Sequence, residues 1–128
     1  MKEELSLPML TAAEAEVMNV VWERSATSIS DIVEQLPRSL AYTTVMTTVR
    51  ILEDKGFIAN CGKRGRAFLY KAAVERNRVS GLMSHEIAKR LFRGSLKSLV
   101  LNLVQDKTVS ADDLAEVKQM IEEIEGKK

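Results

Sequence analysis

The stretch Tyr42-Thr43-Thr44-Val45-Met46-Thr47-Thr48-Val49-Arg50 spaces hydroxyls and one guanidinium at helical intervals. At about 100° per residue, Thr43, Thr47, Arg50 and Asp54 fall on one side of such a helix, with Thr44, Met46 and Ile51 on its flanks. Val45, Val49 and Leu52 fall on the other side and are the expected core contacts. An exposed face of Thr, Thr and Arg with no bulky hydrophobe at its centre suits a DNA major groove. Hydroxyls there bond base edges or phosphates, and Thr methyls meet the thymine methyl. Tyr42 and Thr43 stand at the helix start, where free N–H groups and the helix dipole attract phosphate. A Thr-rich helix also arises wherever β-branched hydroxyl residues sit half-exposed, as expected for Thr48.

A second basic element follows. Lys63, Arg64 and Arg66 share a turn with Gly62 and Gly65, and no acid is expected nearby. Such a turn reaches backbone phosphates or an adjacent minor groove and adds affinity with little sequence information. Other chemistry is weakly represented. Cys61 is the single cysteine and has no Cys or His beside it, so no metal site is expected. His85 lacks a ligand partner at i+4. No nucleophile–base pattern, phosphate-binding glycine loop or metal-hydrolase motif occurs, so neither an enzyme nor a cofactor is expected.

These residues need positioning. Thr11 and Glu14 form a capping-box pattern that opens a helix running to about Arg24. Val17, Met18, Val21 and Trp22 are its core face, and Glu14, Glu16, Asn19 and Glu23 are expected to look outward. Ser30 is expected to cap a second helix over Asp31–Leu36, stopped by Pro37. The third helix spans Thr43–Lys55, closed by Gly56. Residues 57–60 and 66–70 read as two strands joined by the turn 61–65. Three helices and a hairpin in this order make a winged helix-turn-helix, assigned to residues 1–73. Residues 74–128 read as three helices, from about Val74 to Phe92, Ser95 to Val104 and Ser110 to Glu125. The fold class is therefore mainly α with one small β-hairpin, a winged helix-turn-helix followed by a helical dimerisation region.

Composition agrees with this plan. The 128 residues carry a net charge of +1, unevenly spread: residues 38–71 hold seven basic and two acidic side chains, whereas residues 1–37 hold two and seven. A near-neutral chain with a basic middle can present one positive face to a polyanion. No apolar run approaches the roughly 18 residues that cross a bilayer. Met1-Lys2-Glu3-Glu4 offers no apolar leader core, and a lone cysteine suits a reducing compartment. The expectation is a soluble cytoplasmic protein.

Three separated segments carry a family resemblance that covers nearly the whole chain. Leu10-Thr11-Ala12-Ala13-Glu14-Ala15-Glu16-Val17-Met18, continued by Val21-Trp22, is the first. Ala41-Tyr42-Thr43-Thr44-Val45, running into Leu52-Glu53-Asp54-Lys55-Gly56, is the second. Gly94-Ser95-Leu96-Lys97-Ser98-Leu99-Val100 is the third. In that order they resemble the BlaI/MecI/CopY penicillinase-repressor family. The resemblance implies a homodimer that represses by occupying a palindromic operator with inverted TACA/TGTA half-sites. Base-reading residues would lie among Thr43, Thr44, Met46, Thr47 and Arg50, and wing contacts among Lys63, Arg64 and Arg66. In the β-lactam branch it also implies proteolytic relief prompted by a membrane sensor protease. The bond concerned matches Asn102–Leu103, although Leu103 replaces an aromatic residue there. The paired Cys-x-Cys motifs of the CopY branch are missing from the C-terminal Ile124-Glu125-Gly126-Lys127-Lys128.

Dimerisation has a reason of its own. One reading helix makes too few contacts, whereas two copies read half-sites about 34 Å apart or a multiple of it. Leu96, Leu99, Val100 and Leu103 face one way along the penultimate helix. Leu114, Val117, Ile121 and Ile124 form a 3, 4, 3 seam on the last, as in a coiled coil. Both sets are expected at the dimer interface. The competing reading is a winged helix that binds a protein partner and no DNA. It calls for an apolar third-helix face and wing, the reverse of what the residues offer.

Overall fold

A computed structural model describes residues 9–127. The reading of Met1–Glu4 lies outside them. Element order is α1 (Ala12–Trp22), α2 (Ile29–Gln35), α3 (Tyr42–Asp54), β1 (Ile58–Arg64), β2 (Ala67–Ala72), α4 (Arg76–Leu91), α5 (Leu96–Val104) and α6 (Ala111–Gly126). The chain forms two compact units by contact, one ending at Met83 and one beginning at Ser84. The division falls within α4, whose Val79 and Met83 still pack on the first unit's core.

The first unit is the winged helix expected from the helical periods. Val17, Met18 and Val21 of α1, Ile32 of α2 and Val45, Val49 and Leu52 of α3 are fully or almost fully buried together with Phe57. α1 opens with the capping box expected of it: the Glu14 N–H donates to Thr11 Oγ1 (3.2 Å) and the Thr11 N–H to Glu14 Oε1 (2.8 Å). α3 ends on Gly56 at φ 89, and the Phe57 N–H returns to the Leu52 carbonyl at 2.9 Å. A left-handed glycine after the last turn permits that closure.

Three local expectations are corrected. α2 starts earlier, because Ser28 rather than Ser30 is its cap: Ser28 Oγ accepts from the Asp31 N–H (3.1 Å), and Asp31 Oδ2 accepts from the Ser28 N–H (3.2 Å). The reciprocal acid three residues on decides between the two serines. The hairpin is longer than expected. Cys61 to Arg64 continue β1, with a bulge between Asn60 and Gly62, and Arg64 pairs with Ala67 across a two-residue Gly65–Arg66 turn. Gly65 at φ 65 in the first central position suits a primed hairpin turn. Glu14, expected to face solvent, is buried at 5 % exposure. Its Oε2 accepts from Lys55 Nζ at 2.8 Å, so the start of α1 is tied to the end of α3.

The hairpin is fastened to the helices at Thr27, which exchanges both backbone bonds with Tyr70 (3.0 and 2.8 Å). Trp22 Nε1–H donates to the Val74 carbonyl at 2.9 Å, and the Arg76 guanidinium lies 5.3 Å from the indole. The second unit is helical. α4 ends through Arg93 (φ 52) and Gly94 (φ 83), Ser95 caps α5, and Ser110 with Asp113 forms a capping box on α6.

Candidate nucleic-acid interface

α3 is amphipathic in the sense expected. Val45, Val49 and Leu52 are sealed inside, while Tyr42, Thr43, Thr44, Thr47 and Arg50 are exposed. Met46 is half-buried and packs against the core, so only part of it faces out. The Thr47 hydroxyl donates to the Thr43 carbonyl and that of Thr48 to the Thr44 carbonyl, both at 3.0 Å. With its proton committed inward, the Thr47 oxygen presents a lone pair outward beside its methyl group. No side chain caps α3, because Ala41 stands at its N-cap. The N–H groups of its first turn therefore await an acceptor from outside.

A groove of about 440 Å³ runs beside this face. Tyr42, Met46, Arg50 and Glu53 of α3 line one side, and Asn60, Arg66, Phe68 and Tyr70 of the hairpin line the other, with Ser28 and Ser30 at its end. Burial, and then the nearby Glu53 carboxylate, push the Tyr70 hydroxyl above its ordinary pKa of 10.0. Sequence reasoning missed Phe68, Tyr70, Ser28 and Ser30 as lining residues, because they converge only through tertiary packing, the Thr27–Tyr70 bridge included.

Lys63, Arg64 and Arg66 are all exposed on the hairpin. The Lys63 ammonium sits 4.9 Å from the Phe68 ring centre. The expectation of no nearby acid fails for Arg64. Its Nη2 lies 2.7 Å from Asp31 Oδ2, on a helix remote from it in sequence. The Arg64 guanidinium first, and the Ser28 N–H second, hold the Asp31 carboxyl below its ordinary 3.8.

In the second unit, Leu96, Val100, Leu103, Leu114, Val117, Ile121 and Ile124 are each 39–57 % exposed, and Leu99 is half-buried. Leu91, Leu101 and Met120, not anticipated, are also exposed. Asn102 and Leu103 lie side by side on α5, both exposed. Cys61 is exposed and free, and His85 is exposed. Among the described residues there is no cluster of His, Cys, Asp and Glu fit for a metal, and no helix is long and apolar enough to cross a membrane.

In sequence and structure the chain is similar to known proteins. The chain is 29 % identical over 124 residues to the penicillinase repressor of Bacillus licheniformis, covering 95 % of this chain and 96 % of that one. It is 31 % identical over 114 residues to the methicillin resistance regulatory protein MecI of Mammaliicoccus sciuri, covering 88 % and 92 %. The solved DNA-binding domain of the repressor BlaI superposes with a TM-score of 0.50 at 27 % identity, over 57 % of this chain and 90 % of that one. The model of the penicillinase repressor family matches residues 10–123, and the chain belongs to that family.

Proposed function

We propose that the protein is a transcriptional repressor without catalytic activity, acting in the cytoplasm as a homodimer on a palindromic operator. The single observation that carries this reading is the joint exposure of the Thr43, Thr47 and Arg50 face and the basic hairpin on one unit. α3 enters the major groove, with Thr43, Thr44, Met46, Thr47 and Arg50 toward base edges. Tyr42 and the free N–H groups of the first turn meet a phosphate. Lys63, Arg64 and Arg66 of the wing lie along the backbone.

Labour is divided along the chain, with residues 1–73 reading DNA and residues 74–128 pairing two copies. The apolar residues exposed on α5 and α6 support that pairing, because a charged chain gains nothing by leaving such a stripe in water. Proteolysis at Asn102–Leu103 by a membrane sensor protease would relieve repression, since it would part the α6 seam from the reading unit.

Arg50→Ala and Thr47→Ala test the reading face. Arg50→Ala should weaken binding roughly 10- to 100-fold per half-site, in line with about 1–3 kcal/mol for a side chain that reads a base, and more on a full operator, where both copies lose the contact. Thr47→Ala should cost less, near tenfold at most. Both variants should melt as the wild type does, because neither side chain enters the core. Fluorescence anisotropy on labelled operator reads the effect, and unchanged affinity in both variants would remove the assigned face. A salt titration on random duplex separates DNA binding from protein binding: affinity should fall steeply as salt rises.

A further inference from the structure

Wing cations count only if they are free to meet phosphate, and one of the three is engaged. Arg64 Nη2 is 2.7 Å from Asp31 Oδ2, while the ammonium of Lys63 lies over Phe68. Among the described residues, no ion pair holds Lys63 or Arg66. The same Asp31 oxygen also accepts the Ser28 N–H at 3.2 Å, so the carboxylate is held in place by the cap of α2 and cannot swing away with the arginine. Ser28 and Ser30, the second of them next to Asp31 in sequence, line the groove that α3 and the hairpin enclose, although Asp31 itself does not line it.

We propose that Asp31 is a positioning residue for Arg64 that withholds its guanidinium from the DNA backbone; this rests on the DNA-binding reading above. A phosphate must displace a fixed carboxylate before it gains Arg64. The carboxylate it uncovers then faces a polyanion. The exposed pair is weak enough to yield, so the effect is a discount on backbone affinity and not a block. Its consequence is a wing that contributes fewer sequence-independent contacts than its three cations suggest, leaving a larger share of binding to the α3 face.

Asp31→Asn is the test, because the amide oxygen can still accept the Ser28 N–H while the charge is gone. The full-length protein is titrated with a labelled random-sequence duplex from 50 to 200 mM salt. The variant should bind about fivefold more tightly near 0.1 M salt. Its log–log salt dependence should steepen by about 0.9 per protomer, the mark of one added phosphate contact. In an Arg64→Ala background the same substitution should give a clearly smaller gain, because only the repulsion of the bare carboxylate is then removed. A gain of equal size without Arg64 would show simple repulsion by the carboxylate and overturn the proposal, as would looser or unchanged binding in Asp31→Asn. Thermal melts report whether the cap of α2 has survived. A wild-type chain that binds no duplex at all would remove the DNA reading itself and this proposal with it.

Discussion

Leu103→Asp and Ile121→Asp should each turn the proposed dimer into a monomer and lower operator affinity at least about 100-fold. Two features make the effect large. In the proposed homodimer, two-fold symmetry places each substitution in the interface twice, so two carboxylates must lose water for the copies to pair. Separated copies then hold one half-site each and lose the avidity of linked binding, commonly 10²–10⁴. The substitutions are also clean. Leu103 is 57 % exposed and Ile121 48 % exposed within the single chain, so an aspartate at either place leaves the fold of its own copy undisturbed. Sedimentation velocity reads the mass, and anisotropy on full operator and half-operator reads the affinity. A dimer that survives both changes would place the interface elsewhere.

Glu14→Ala should destabilise the first unit by about 3 kcal/mol, the scale for breaking a buried pair from one side. Lys55, only 28 % exposed at its side chain, would be left without its carboxylate, and the Thr11 N–H would lose its cap acceptor. For a unit of this size the melting temperature should fall on the order of 15 °C. Glu14→Gln keeps an acceptor for Thr11 and isolates the charge. Burial pushes the Glu14 carboxyl up, but the bonds from Lys55 and Thr11 outweigh burial and hold it below its ordinary 4.5. A carboxyl depressed in the folded state contributes in full above about pH 4.5 and loses that contribution as pH falls through its lowered value. Wild type should therefore lose more stability than Glu14→Gln between pH 5 and pH 3. Parallel acid limbs for the two proteins would mean that the Lys55 pair contributes nothing.

Glu14 also marks where the sequence stopped being legible. Its role as capping partner spans three residues and was readable from Thr11 alone. Its role as a buried anion depends on Lys55, 41 residues further on, and no helical period announces that. Asp31 repeats the lesson: its cap is local, and its hold on Arg64 is not. Periodicity served well where one face was continuous. The inward side of α3 is sealed as Val45, Val49 and Leu52 required, and the outward side is open as Thr43, Thr47 and Arg50 required. The hairpin was underestimated because Gly62 and the bulge at Cys61 imitate a turn within a strand. What lines the groove beside α3 was invisible for a related reason. It is assembled from three segments distant in sequence, brought together by helix packing and by the Thr27–Tyr70 bridge.

Trp22 is the only tryptophan of the chain. Its indole N–H holds the Val74 carbonyl, just before α4 begins, with a guanidinium across the ring. The protein thus carries its own optical gauge at the point where the segment leaving the hairpin is tied back to α1. Release of that segment strips the indole of its acceptor and its cation together, and intrinsic emission shifts without any attached dye.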